Sequence, residues 1–241
     1  MSTERLHWLD SLRGLAIIMM VFFHIFFDLE YLNLYSSDLF SGFWLYFGNF
    51  IRFTFLAVAG FSVYLSYKNR LPYPYFLKHQ FWRAVKLFGI AMLITLVTFI
   101  FVPEDFIRFG VLHLISIGII LTALLVKKPK VLFALIILSL ILGAIFDQFI
   151  LNTSLFLPFG LRPENFYTID YFPIFPWIAV IFAGNLLARI MDKYSLISNT
   201  NLPLRLKFLE EVGQKSLIIY LMHQPIIFIL IWLLFRINML K

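Results

Sequence analysis

The sequence contains no cysteine. A thiol nucleophile, an acyl-cysteine intermediate, disulfides and thiolate metal sites are therefore excluded. Charge is scarce too: 14% of the residues are Asp, Glu, Lys or Arg, against about 25% in a soluble domain. No polar stretch is long enough to fold by itself, so no separate soluble domain is expected. HExxH, a Gly-rich phosphate loop and GxSxG in a suitable context are all missing. Their absence removes the usual signatures of zinc hydrolysis, nucleotide-phosphate binding and serine acyl transfer. There is no metal signature, no internal repeat and no low-complexity tract. The first apolar run lacks a small-residue cleavage site behind it, so it reads as an uncleaved helix.

What fills the chain instead is hydrocarbon. Hydrophobic residues make up 61% of 241 positions, and the mean hydropathy is +0.89. Successive apolar runs of about 20 residues predict an all-α, polytopic helical membrane protein, a single integral domain over 1–241. About seven spanning helices are expected, at roughly 9–28, 43–67, 82–102, 110–126, 131–149, 171–190 and 214–236. The third and seventh begin in polar ground, which suits an interfacial turn. Trp and Tyr flank several runs where the bilayer interface would lie.

The net charge of +7 does not point to nucleic acid, because the basic residues fall in alternate loops. Residues 68–86, the turn Lys127-Lys128-Pro129-Lys130, the stretch 189–215 (with Arg205) and the pair Arg5 and Arg13 gather fifteen Lys and Arg on one side, Arg70 included. Arg108, Arg162, Arg236 and Lys241 fall on the other. The positive-inside rule then predicts a cytoplasmic N-terminus and an outer C-terminus, in a multi-pass protein of the plasma membrane whose surroundings are the lipid bilayer. The longest outer connection, residues 151–177, is rich in Pro and aromatics. It reads either as a lid over an outer pocket or as an ordered cover for helix ends.

The first helix carries Asp10, Arg13, His24 and Asp28 among its apolar residues. At 100° per residue Asp10 and Asp28 coincide, Arg13 lies about 60° away and His24 about 40° away, so all four share one face. Such a face belongs in a bundle interior or a wet cavity. With the hydrocarbon core starting near Leu12, His24 sits about 18 Å from the inner edge and Arg52 about 16 Å from it; His113 sits about 24 Å up and His223 only about 10 Å. Asn49 shares the face of Arg52, and Tyr220 shares that of His223. Pro225 is expected to kink the last helix and free a carbonyl near His223.

Several of these have structural readings. Asp10 caps the helix or pairs with Arg13, and Arg13 anchors the inner edge. Asp28 also suits an interfacial carboxylate, His113 and His223 suit satisfied bundle positions, and Lys78, Arg83 and Lys86 suit anionic-lipid contact. His24 and Arg52 are the hardest to place so, since neither snorkels easily from mid-membrane. A neutral buried His with a carboxylate at i+4 is a plausible general base, with Asp28 as its orienter. Arg52 is suited to stabilising a developing oxyanion.

The segments "RLHWLDSLRGLAIIMMVFFHIFFDL", "RFTFLAVAGFSVYLSY", "FIRFGVLHLISIGII", "DYFPIFPWIAVIFAGNLLAR" and "GQKSLIIYLMHQPI" together resemble, in order, the prokaryotic relatives of the heparan-alpha-glucosaminide N-acetyltransferase catalytic domain, within the transmembrane acyltransferase superfamily. Arg13 and His24 also match the spacing of an Arg, ten residues and a His in that superfamily's acyltransferase-3 branch. The resemblance implies a multi-pass enzyme that takes an acetyl or other acyl group from cytoplasmic acyl-CoA and passes it to an amine or hydroxyl, often on a sugar, at the far face. Acyl-CoA is then a co-substrate, with no permanently bound cofactor. With that activity, the residues' own chemistry gives His24 as base in the catalytic set His24, Asp28 and Arg52. Arg13, Asn49, His113, Tyr220 and His223 are then candidates for the substrate path, and Lys78, Arg83 and Lys86 for the CoA phosphates. One departure stands out: the heparan enzyme has Asn at the His24 position and a His in the outer loop that follows, whereas "YLNLYSSDLF" here has none. Two readings compete with acyl transfer, a small-solute or proton-coupled transporter and a non-enzymatic partner of an envelope-polysaccharide complex. Self-association is left open by the sequence.

Overall fold

The structure is a computed structural model. It describes residues 6–36, 38–39, 41–69, 72–197 and 206–238, with side chains to residue 234 in the last stretch. Arg5, Arg70, Arg205 and Lys241, and the side chain of Arg236, lie outside the described residues. Those described form eight α-helices: α1 (His7–Tyr31), α2 (Gly42–Asn69), α3 (Tyr73–Phe101), α4 (Val111–Leu125), α5 (Pro129–Phe146), α6 (Ile174–Lys193), α7 (Lys207–Gln214) and α8 (Ser216–Asn238). Among them no strand forms, only two isolated bridges in the loops. Six helices are long and apolar enough to cross a bilayer, and α4, apolar but with 15 residues, is shorter. The chain is a polytopic helical membrane protein.

The helix ends differ from the sequence reading in instructive places. The third helix starts at Tyr73, not at 82, because Pro72 and Pro74 open it and the polar turns through Lys78 and Gln80 remain helical. Hydropathy counted only its membrane-length part. The expected seventh helix is two elements, since the chain leaves helical geometry at Lys215 between α7 and α8. The region α6 starts at Ile174 rather than 171, with Phe175 still extended and a cis bond before Pro176.

Two compact units follow from the contacts, one formed by residues 1–55 and 199–241, the other by residues 56–198. The first holds α1, the opening half of α2, α7 and α8. Its core comprises Ile17, Met20, Phe23, Leu39 and Ile51, with Trp44, Phe47, Ile219 and Tyr220 packed against them. Here α1 and α7 touch backbone to backbone. A Cβ on Gly14 would overlap the Leu209 carbonyl, and one on Gly213 would overlap the Asp10 carbonyl. Only glycine allows that approach, and such small-residue contacts are how helices associate where lipid removes the hydrophobic driving force. His7 Nδ1 and Glu210 Oε2, 2.8 Å apart, add a polar clasp at the same end.

The second unit repeats the device. Gly60 faces the Ile181 carbonyl and Gly184 faces the Ala57 carbonyl, each without room for a Cβ. Asn185, fully buried, donates to the Gly60 carbonyl at 3.3 Å. Its apolar core includes Leu56, Leu114, Leu132, Ile178, Ile181 and Phe182. Tyr64 and Lys68 both bond Asp192, and Arg189 donates to the Val126 carbonyl where α4 ends. The long connection before α6 is tied down as an ordered cover. Thr168 Oγ1 donates to the Phe106 carbonyl at 2.7 Å, Arg162 pairs with Asp147 at 2.8 Å, and Tyr171 donates to the Leu157 carbonyl at 2.7 Å. Burial pushes the Tyr171 phenol up to about 12, so it stays a neutral donor at any ordinary pH.

Candidate functional site

In the first unit the close contact of Gly14 with Gly213 sets the register of α1 against α8. His24 lies ten residues beyond Gly14, and His223 ten beyond Gly213. Along the unbroken α1, His24 lies about 15 Å from that contact, and the turn at Lys215 between α7 and α8 brings His223 level with it. The two rings indeed meet edge to face, with centroids 4.8 Å apart and planes at 83°. This corrects the sequence estimate, which set His223 about 8 Å below His24. That count started α8 at the membrane edge, whereas α7 is already docked beside Gly14.

Backbone carbonyls fix the protons on both imidazoles. His24 Nδ1 lies 2.8 Å from the Met20 carbonyl, and His223 Nδ1 lies 2.6 Å from that of Tyr220. A carbonyl only accepts, so each Nδ1 carries the hydrogen and each Nε2 keeps a lone pair. The carbonyl held by His223 is thus not the one freed by Pro225, which is that of Leu221. Nor does Asp28 orient His24, as its position at i+4 suggested: the Met20 carbonyl does so.

Asp28 has another partner. Its Oδ1 accepts from Gln224 Nε2 at 2.6 Å, and its side chain is buried, with 3% of the residue exposed. Asp28 Oδ2, Gln224 Oε1 and His223 Nε2 are buried with no hydrogen-bond partner. All three are acceptors, and buried acceptors without donors are rare and costly. The protein itself therefore supplies this cluster with too few N–H or O–H groups. Gln224 escaped the sequence reading although it sits inside the quoted "YLMHQP"; a polar residue beside His223 in an apolar helix was the signal.

The remaining candidates separate. Arg52 donates to Asn49 Oδ1 at 3.0 Å, and its charge is within electrostatic reach of the His24 ring. Tyr220 packs against His223 at 5.6 Å. Arg13 instead bonds Asp10 at 2.7 Å, about 16 Å along α1 from His24. In the second unit, His113 closes the start of α4. Its Nδ1 accepts from the Gly110 N–H at 3.1 Å, leaving Nε2–H directed at Thr95 Oγ1, 3.5 Å away. Phe109 stacks on its ring, and Asp170 accepts from the next amide, Val111, at 2.9 Å. This is the opposite tautomer from that of His24 and His223, and its atoms are occupied by the fold. Lys78 and Lys86 are exposed on α3 and Arg83 is partly buried. Among the described residues no group of three or more His, Asp or Glu is placed to hold a metal ion.

Neither the curated proteins nor the solved structures offer a significant match. Residues 5–225, nearly the whole chain, match the family described as heparan-alpha-glucosaminide N-acetyltransferase, catalytic. Membership carries a membrane acetyltransferase-like role, with acetyl-CoA as the general co-substrate of such enzymes. The chain belongs to the heparan-alpha-glucosaminide N-acetyltransferase catalytic family.

Proposed function

We propose that the chain moves an acetyl or other acyl group from cytoplasmic acyl-CoA to an amine or hydroxyl, on a sugar by analogy with the family's name, at the outer face. The observation that carries this reading is the pair of imidazoles, His24 and His223, each locked with its proton on Nδ1 and 4.8 Å apart. Both offer a lone pair to an incoming acceptor.

The acceptor's N–H or O–H enters the cluster that lacks donors, against Asp28 Oδ2 and Gln224 Oε1. An imidazole Nε2 removes its proton as the nitrogen or oxygen forms a bond to the thioester carbon. The Arg52 guanidinium stabilises the oxyanion of the tetrahedral intermediate. Collapse breaks the carbon–sulfur bond, and the CoA thiolate leaves with the proton returned from the imidazolium. Asp28 acts on the charge and position of the acceptor, not on the His24 tautomer. Lys78, Arg83 and Lys86 stay the candidates for the CoA phosphates, as cations suited to polyanions.

Purified protein in proteoliposomes, supplied with labelled acetyl-CoA and an aminosugar, should turn over. His24→Ala and His223→Ala should each lower turnover by about 10²–10⁴-fold, the usual contribution of a general base. Undiminished turnover in both variants would remove the imidazole pair from the mechanism.

A further inference from the structure

In the second unit, α5 marks where the hydrocarbon ends. Its 18 residues, Pro129–Phe146, rise about 27 Å, close to the ~30 Å of a bilayer core. Charge stands at both ends. Lys127, Lys128 and Lys130 gather at its start, and the exposed pair of Asp147 with Arg162 follows directly on Phe146. Charged groups are costly in hydrocarbon, so its boundary lies near Phe146. Within the span, Ile137, Leu138, Ile141 and Ile145 are exposed on a helix of membrane length, and they face lipid.

The residues beyond that boundary are not those of an ordinary solvated loop. From Gln148 to Leu161 the chain carries no charged residue, yet Phe149, Ile150, Leu155, Phe156 and Phe159 are exposed, Leu155 by 75%. Nor does the stretch rise away from α5. Its 3-10 turn, Leu157–Phe159, folds back beside the last helical turn. A Cβ on Gly160 would lie 3.9 Å from the Phe146 Cβ. Phe159 stacks on Phe175, which meets Phe146 edge to face at 5.9 Å. Leu157 is buried, and its carbonyl holds the Tyr171 hydroxyl, so the turn is pinned at that level. The exposed apolar side chains thus continue the lipid-facing surface of α5 at the depth where its hydrocarbon span ends. Exposed Asn152, Thr153 and Ser154 stand between them, a mixture suited to the zone where headgroups meet acyl chains.

From this we propose that residues 149–159 are an interfacial anchor, whose exposed apolar side chains lie among the phospholipids of the leaflet at the C-terminal end of α5. In the orientation drawn from Lys and Arg that leaflet is the outer one. The occupant is lipid because the stretch is continuous with the lipid-facing surface of α5 and sits at its depth. The anchor takes this half of the long connection out of any lid, since a segment held in the interface does not swing over a pocket. It stands independently of the acyl-transfer reading.

The absence of cysteine makes the test direct, because any introduced thiol is labelled alone. Ile150→Cys and Leu155→Cys, at exposed positions, are made in the full chain, spin-labelled and placed in phosphatidylcholine vesicles. Ile141→Cys, on the lipid-facing surface of α5, and Glu164→Cys, exposed later in the same connection, are the two references. Collision of each nitroxide with oxygen, which concentrates in lipid, is compared with collision with a water-soluble nickel chelate. The label is the same at every site, so its own affinity for lipid cancels. The oxygen-to-nickel ratio at 150 and 155 should stand several-fold above that at 164 and shift toward that at 141. In detergent-free buffer with the protein held in amphipathic polymer, where no leaflet is present, the shift should be lost. A ratio at 150 and 155 equal to that at 164 overturns the proposal and makes the stretch a solvated loop. Low collision with both reagents at 150 and 155 also overturns it, because the side chains would then be covered by protein, such as a second copy of the chain. Each position reads separately, so loss of one variant to misfolding leaves the other to decide.

Discussion

Adding one methyl group at Gly213 tests whether the α1–α7 contact builds the imidazole pair. The new Cβ would overlap the Asp10 carbonyl oxygen, a backbone atom with no rotamer to escape into. Normal contact requires α1 and α7 to part by about 1.5 Å. Overpacking of this kind costs about 1–3 kcal/mol, set against about 1 kcal/mol of helix propensity gained by replacing glycine. The stability change should therefore be small to moderate, whereas the geometric change at the site is not small. His223 hangs ten residues beyond the contact, and a misplacement of about 1 Å at reacting groups can cost about 10²-fold in rate. Gly213→Ala should accordingly lose most acetyl transfer while keeping a cooperative melt in detergent. Gly89→Ala is the matched control: a Cβ there meets nothing within 4 Å, so melting temperature and turnover should hold or rise slightly. Gly14→Ala should mimic Gly213→Ala, because its Cβ would overlap the Leu209 carbonyl of the same contact. The double variant should lose less than the sum of the singles, since the helices need part only once. If Gly213→Ala matched Gly89→Ala in both stability and turnover, the register argument for His24 and His223 would be wrong.

The sequence made some of this legible and hid the rest for physical reasons. Long apolar runs revealed the membrane helices because the bilayer sets one length for all of them. The ionisable groups of α1 stood out because lipid makes them expensive, and helical periodicity placed His24 and Asp28 on one face. Depth was legible only within a continuous helix: counting residues works for α1 but failed for His223, because the break at Lys215 resets where α8 begins. Pairing across helices was not legible either. Asp28 is held by Gln224, 196 positions away, and no local rule connects them. Periodicity also cannot say which histidine the fold has used up. His113 spends its Nδ1 on the Gly110 amide, the third-position role of a capping box more often given to Glu or Gln, whereas His24 and His223 spend Nδ1 on carbonyls and keep Nε2.

Three further outcomes are expected. A reporter fused after Lys241 should read as extracytoplasmic, and a cytoplasmic signal would overturn the orientation drawn from Lys and Arg. His113→Ala should lower stability by about 2 kcal/mol or more, through the unpaired Gly110 amide and the lost ring packing, yet leave turnover per folded molecule largely intact; a selective loss of turnover at unchanged melting temperature would return His113 to the substrate path. Gln224→Leu removes the donor held by Asp28 Oδ1 at 2.6 Å and leaves a buried carboxyl whose Oδ2 already lacks a partner. Losing a hydrogen bond to a charged group costs about 1.5–3 kcal/mol, so the melting temperature in detergent should fall. The same change abolishes one of the acceptor atoms at the head of the site, so KM for the amine should rise as well. Asp28→Asn with Gln224 intact separates the two effects. An amide at position 28 can still accept from Gln224, so most of the stability should return, while the negative charge that favours an ammonium is gone. Stability restored together with a KM that stays high assigns Asp28 to the acceptor; recovery of both would make the Asp28–Gln224 bond a structural clasp alone.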